Sequence, residues 1–191
     1  IPRLGDIRYL DYNGDGLISW DDEVKIARPT TPEMMFSLMA DANWKEFDLS
    51  VQLQGAALCA KLLCGEWNNG ARDQTPLTRP FYAGWDNAPY YLVENSWRPD
   101  NTNAEYPRLS KRDNENNTKA STYWQRNGAF LKLKNLEVGF NHKFFRVYLR
   151  GSNLLTFSPF KYWDPEMGSG SGLSYPTQRV FNVGVQFSIN K

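Results

Sequence analysis

The chain is poor in the residues from which most active sites are built. It has one histidine, His142, in 191 residues, which leaves little for histidine-based catalysis or a histidine-rich metal centre. It has two cysteines, Cys59 and Cys64, in Cys-Ala-Lys-Leu-Leu-Cys. With no second pair and no histidine nearby, they do not read as a zinc site. A small local disulfide and two separate thiols both remain open, with the disulfide favoured if the segment lies outside the cell. Net charge is +1, so nothing electrostatic points to nucleic acid. No run of about 18 apolar residues exists, which excludes a transmembrane helix, and no signal peptide is evident. The chain starts at Ile1-Pro2 and is expected to be part of a longer protein. Asp86, Glu94, Asp100 and Glu105 supply carboxylates, but loops are commonly acidic and no catalytic pairing follows from their positions. An enzyme is not expected.

Aromatic residues, by contrast, are abundant: 15% of the chain, with 7 Trp and 10 Tyr. Such a content suits a carbohydrate-facing surface or the belts where a protein meets a membrane interface.

Period-2 alternation supplies the architecture. From Phe181 to Ile189 every odd residue is apolar and every even one is Asn, Gly, Gln or Ser. That is a strand with one oily and one wet face, of a length that crosses a bilayer when tilted. Similar patterns predict strands over 33–42, 46–57, 128–140, 144–156 and 178–190. Leu131 and Leu133 alternate in one phase and Leu136, Val138 and Phe140 in the other, so the slip between Lys134 and Asn135 predicts a β-bulge. The strands are joined by a tight turn at Asn43-Trp44-Lys45, a very long excursion, a tight turn at Asn141-His142-Lys143, and a long loop over 157–177. Turns kept short at one end and long at the other suit an outer-membrane barrel better than a sandwich. Asp48, Gln52, Arg146, Arg150 and Gln186 on the second face suit a wet lumen. The fold expected is all-β: an antiparallel up-and-down meander, the closing strands of a large transmembrane β-barrel with long extracellular loops. A soluble calcium-dependent carbohydrate-binding β-module is the alternative.

Two features of the loops bear on function. Asp11-Tyr12-Asn13-Gly14-Asp15-Gly16 matches the start of a calcium loop, with oxygens at its first, third and fifth positions and a glycine for the sharp turn. Asp11, Asn13, Asp15, the Leu17 carbonyl and Asp22 are the candidate ligands of one structural Ca2+. Asp22 is shorter than the usual bidentate Glu, and an Asx-rich turn held by its own side-chain to backbone bonds explains the same residues. The region 58–125 is too long for a plain connection. Its Trp85, Tyr90, Tyr91, Trp97 and Trp124 could stack on sugar rings or pack the loop and meet a partner; packing and partner contact are favoured. Trp44, Phe47, Phe140 and Phe145 flank the short turns as an interface belt.

The chain resembles the C-terminal part of SusC/RagA-type TonB-dependent outer-membrane transporters of Bacteroidetes. The resemblance is carried, in order, by Gly5-Asp6-Ile7 with Asp11 to Gly16, Phe47-Asp48-Leu49-Ser50, Ser96 to Leu109, Phe130 to Leu136, Gly151 to Phe157, and Trp163-Asp164-Pro165-Glu166. It implies a plugged barrel importing glycans or peptides, with a SusD-like surface lipoprotein over it and TonB supplying energy from the periplasm. The closing Gly184, Phe187 and Ile189 look like the signal read by barrel-assembly machinery. On this reading residues 1–30 are an extracellular loop, 33–57 a hairpin, 58–125 a long extracellular loop and 128–190 the last three strands. The remainder of the barrel, of about 22 strands in such transporters, the plug and the TonB box are absent from the sequence.

Overall fold

The computed structural model describes residues 2–25, 28–64, 67–68, 71–72, 75, 77–82, 88–112, 114–168, 172 and 174–188. The chain divides into two compact units, one of residues 29–60, 127–168 and 174–191, the other of residues 1–28, 61–126 and 169–173.

The first unit is a five-stranded antiparallel sheet. In chain order its strands are β1 (Met34–Trp44), β2 (Phe47–Ala57), β7 (Phe130–Asn141), β8 (Phe145–Phe157) and β9 (Val180–Phe187), and their spatial order is the same. This is the expected meander. The short pieces β3 (Ala60–Leu62), β4 (Trp67–Asn68), β5 (Ala71–Arg72) and β6 (Gln125–Asn127) pair as β3 with β6 and β4 with β5.

Register sorts the side chains by polarity. Ala42, Leu49, Val138, Leu149 and Val183 lie opposite one another across all five strands, and so do Trp44, Phe47, Phe140, Val147 and Val185. The neighbouring rows run Asp41, Ser50, Glu137, Arg150, Asn182 and Asn43, Asp48, Gly139, Tyr148, Gly184. Because side chains alternate along each strand, these rows make one apolar and one polar face. The apolar face is outward: Val183 is 75% exposed, Phe181 67% and Leu149 52%.

The bulge lies where the phase slips. Leu133 pairs with Leu155 and the next β7 partner pair is Asn135 with Ser152, which leaves Lys134 out of the ladder. The same shift appears against β2. The extra residue keeps Leu131 and Leu133 on the face of Leu136, Val138 and Phe140. On β8, Asn153 takes up the mismatch in the left-handed region, at φ 54°.

Both tight turns sit slightly later than the sequence suggests. The first is a two-residue connection, Lys45-Glu46, with Trp44 paired to Phe47 and Lys45 at φ 54°. Asn43, the expected turn residue, faces Asp48 inside the ladder. The second spans His142 to Phe144, closed by His142 and Phe145 exchanging backbone hydrogen bonds. In both, strand pairing outcompetes the turn preference of an asparagine.

The second unit has a core of its own. Leu63, Cys64, Phe81, Leu92, Tyr106 and Trp124 are buried in it. Phe81 packs between Tyr106 and Trp124, with ring centroids 5.9 and 5.8 Å away. Helices α1 (Arg79–Tyr82) and α2 (Tyr90–Glu94) are single turns. So the region expected as a long loop is a small folded body. No disulfide joins Cys59 and Cys64, which are both buried thiols, contrary to the bridge favoured from sequence. The extended β3 between them carries the chain about 10 Å, beyond the ~7 Å a disulfide can span.

Candidate functional site

The expected calcium loop folds on its own backbone. Asp11 accepts from the N–H groups of Gly14 and Gly16 at 2.6 and 2.7 Å. Asn13 accepts from Asp15 N–H, and Asp15 from Leu17 N–H. Asp22 reaches back to accept from Tyr12, Asn13 and Ser19 at 2.7, 3.3 and 2.8 Å. Ser19 caps the short turn Trp20–Asp22 in a reciprocal capping box. These bonds, that from Ser19 foremost, hold the Asp22 carboxyl below its usual range. Gly14 and Gly16 sit at φ 75° and 86°, which places two successive sharp turns inside the oxygen-rich stretch. Among the described residues no group of three or more His, Cys, Asp or Glu side chains converges to hold a metal.

Beside it lies a clasp that the sequence did not reveal. Asp6, its side chain almost fully buried, accepts from the Arg3 N–H at 2.7 Å and from Asn114 and Asn117 side-chain amides at 3.1 and 2.9 Å. Arg108 pairs with it at 2.7 Å. Burial pushes the Asp6 carboxyl up, but these donors outweigh it and hold the group below its usual range. Ile7 donates to Asn117 and accepts from Asn116. Gly5 is at φ 84°, and a Cβ there would strike the Trp97 ring. The motif Gly5-Asp6-Ile7 is thus held by residues about a hundred positions away. Arg108 to Arg112 and Asn114 to Asn116, with Pro2, Arg3 and Asp6, line an open cavity of about 840 Å3.

The candidate aromatics separate. Trp124 is fully buried and donates its indole N–H to the Asn117 carbonyl at 2.8 Å. It is therefore a core residue and not a ligand contact, a correction that follows from its position at the centre of the Phe81 cluster. Trp97 is half-buried over Gly5. Tyr90 is 78% exposed, and Tyr91 stays partly exposed beside Tyr106. Trp85 lies outside the described residues, as do Ile189 and Asp86. Of the other carboxylates, Glu94 and Glu105 are exposed and Asp100 pairs with Arg98 at 3.5 Å; no acid pair is assembled from them.

The polar face of the sheet carries an ion network. Arg146 bridges Asp48 and Glu137 at 2.5 and 2.7 Å, and Arg150 pairs with Glu137. Tyr148 lies between the two guanidiniums, 5.0 and 5.8 Å from its ring. Two glycines make room: a Cβ on Gly184 would strike the Tyr148 ring, and one on Gly139 would strike the Asp48 carboxylate. The room left at Gly184 is thus taken by a side chain. Phe187 pairs with Phe145 on the apolar face and is 75% exposed. Above the bulge, Lys132 is 1% exposed and binds Asp164 and Glu166 at 2.6 and 2.8 Å, and Lys134 binds Glu166 at 2.8 Å. The motif Trp163-Asp164-Pro165-Glu166 is thereby tied to β7.

No family model matches the chain. Two curated relatives from Formosa agariphila do. TonB-dependent receptor P26 is 27% identical over 205 residues, and TonB-dependent receptor P3 is 29% identical over 204. The alignments take in 95% and 93% of this chain but 19% and 18% of the relatives, so the chain spans about a fifth of their length. In fold it is similar to the solved RagAB peptide transporter, with a TM-score of 0.66 and 26% identity over 90% of this chain and 19% of that one. The RagAB peptide importer in its closed-closed state gives a TM-score of 0.66 and 25% identity over 94% and 20%. These proteins are named as receptors, transporters and importers, and none as an enzyme, in keeping with the expectation from sequence. The resemblance to TonB-dependent transporters of the SusC/RagA type is borne out in sequence and in fold.

Proposed function

We propose that this chain, a stretch of a TonB-dependent receptor of the SusC/RagA type, builds part of the wall and rim of an outer-membrane importer. The observation that carries the proposal is the outward apolar face of the sheet. A soluble module would bury that face, because contiguous exposed apolar area of such size is rare on soluble monomers. Outer-membrane lipid is the partner that suits it, and the remainder of the barrel would pair with the two free edges, β1 and β9. The polar face, with its Asp48–Arg146–Glu137–Arg150 network, then lines the lumen. The tight turns at Lys45-Glu46 and His142 to Phe144 face the periplasm, and residues 1–30 and 58–125 form the extracellular side. Gly184, Phe187 and Ile189 serve as the assembly signal.

Cargo is a glycan or a peptide, received with a SusD-like surface lipoprotein and driven by the TonB complex through the protein's other parts. The peptide arm draws support from the solved RagAB structures, which are those of a peptide transporter and importer. Loop aromatics with free surface, Tyr90 and Tyr91, are the contacts assigned to partner or cargo. Uptake of labelled oligosaccharides and oligopeptides by cells with and without the intact gene tests the reading. Loss of one class of uptake in the deletion, and likewise on removing TonB, is expected. Recovery of the protein in the soluble fraction would favour the calcium-dependent carbohydrate-binding module instead.

We also propose one structural calcium ion in the 11–22 loop, held by Asp11, Asn13, Asp15, the Leu17 carbonyl and Asp22. Its oxygens are the hard donors such an ion takes, and an oxygen accepting one N–H retains a second lone pair. The bound ion supplies charge neutralisation and rigidity. Affinity of the extracellular class, about 10⁻⁴–10⁻³ M, suffices outside the cell. Calorimetric calcium titration of the full transporter and its Asp15→Ala variant decides: identical curves leave the loop as an Asx turn only.

A further inference from the structure

We propose that the cavity between the N-terminal segment and residues 108–112 and 114–116 is a binding site for a carboxylate-bearing ligand of two to three units. It deepens the importer reading by giving the cargo a charge, and rests on that reading only for what happens to the ligand afterwards. The volume, about 840 Å3, falls within the range of small-molecule sites, roughly 300–1,000 Å3.

The charges in the cavity are unequal. Its lining has four cations, Arg3, Arg108, Lys111 and Arg112, against two carboxylates, Asp6 and Glu115. Asp6 and Arg108 cancel, since they are paired at 2.7 Å on the buried side. What remains among the described charged residues of the lining is Arg3, Lys111, Arg112 and Glu115, all exposed. Among the described residues none of those three cationic side chains has an ion pair or hydrogen bond. Asp113 lies outside the described residues.

Placement explains why the rim stays positioned. The Asp6 clasp fixes Arg3 through its own backbone N–H, and the backbone of Arg108 through a bond from its N–H to Gly5 O at 2.8 Å. Arg3 and the stretch of chain leading to Lys111 are thereby tied to one anchor, which lowers the cost of ordering them around a ligand. A guanidinium accepts a carboxylate in a bidentate fork, and an ammonium adds a point charge. A neutral sugar, or a peptide blocked at both ends, offers this rim hydroxyl and carbonyl acceptors but no anion to pair with its charge. The ligand chemistry is therefore the carboxylate, from an acidic oligosaccharide or an acidic peptide.

The test uses the full transporter purified in detergent, titrated with N-acetyl-triglutamate amide, trigalacturonate, N-acetyl-trialanine amide and maltotriose at two salt concentrations. At least one acidic trimer should bind about tenfold more tightly than the neutral trimer of its class, with the preference falling at high salt. The acidic arm that binds identifies the source. Combined Arg3→Gln, Lys111→Gln and Arg112→Gln should remove that preference without shifting the melting temperature, since all three side chains are exposed and unpaired. Equal binding of acidic and neutral trimers, or a preference the triple variant keeps, overturns the proposal. Binding is read here without energy input. A protein that binds acidic trimers yet imports nothing overturns the importer reading and leaves the cavity. Import without acidic preference does the reverse.

Discussion

The two units handle the same kind of residue in opposite ways. In the sheet, Phe181, Val183 and Leu149 stand outward while Lys132, tied to two carboxylates, is hidden. In the loop-built unit, Phe81, Leu92 and Trp124 are hidden, and Tyr90 and the cations of the cavity stand outward. The first arrangement suits the lipid contact proposed for the sheet, and the second suits water. The sheet satisfies its backbone by ladders, as any structure in hydrocarbon must, while the loop unit uses scattered long-range bonds such as Ile7 to Asn117. The difference implies that the two regions can be damaged separately.

The largest effect should come from the loop unit. Trp124→Ala removes the centre of its aromatic cluster and should cost about 3–5 kcal/mol there. In the full protein, residues 61–126 should become protease-sensitive while the barrel keeps its heat-modifiable mobility on a gel. Loss of both together would mean one cooperative body and erase the contrast.

Next is the reverse experiment on the sheet. Val183→Arg places a charge on the outward face and should cost about 2–4 kcal/mol near the membrane midplane. Asn182→Asp, its neighbour on the polar face and opposite Arg150, should be close to neutral. Folded protein in outer membranes, measured by the same gel shift, should fall for the first and hold for the second. Equal levels would dissolve the assignment of faces.

A smaller effect is expected inside the polar face. Gly184→Ala drives a methyl into the Tyr148 ring and should cost about 1–3 kcal/mol by overpacking. Tyr148→Ser should relieve most of that in a double-mutant cycle of denaturant midpoints. A cycle that closes with no coupling would show that Gly184 matters for another reason.

Periodicity made the sheet legible: all five strands, and the bulge at Lys134, follow from which residues alternate. The turns were displaced because Asn43 and Asn141 advertise turns that the ladders override, with Asn43 paired to Asp48 and Asn141 to Arg146. The loop unit was opaque for a physical reason. Its contacts join Gly5-Asp6-Ile7 to residues 97–117, and nothing local announces that Asp6 will be buried by Arg108 and two asparagines. The motif could be recognised, but its partner could not. Trp124 likewise looks the same in sequence as the exposed Tyr90.

The smallest effect concerns the tie between the loop and the sheet's hidden lysine. Burial pushes the Asp164 and Glu166 carboxyls up, but hydrogen bonds from Lys132, and from Lys134 to Glu166, hold both below the usual range. A carboxyl whose folded value lies below its unfolded one contributes stability that is present above the unfolded value. That stability is lost as pH falls through the folded one. Amide exchange of residues 158–168, taken relative to the intrinsic rate at each pH, should therefore be slow at neutral pH and quicken once pH drops below about 4. The strands themselves should stay protected, because backbone ladders hold them and do not depend on the Asp48 and Glu137 carboxylates of the polar face. Lys132→Met removes the donor, so exchange of this loop should already be fast at neutral pH and should change less on acidification. If the variant and the parent quicken together at the same pH, the tie is not what holds the loop, and Trp163, whose indole N–H donates to the Gly168 carbonyl at 3.1 Å, becomes the anchor to test.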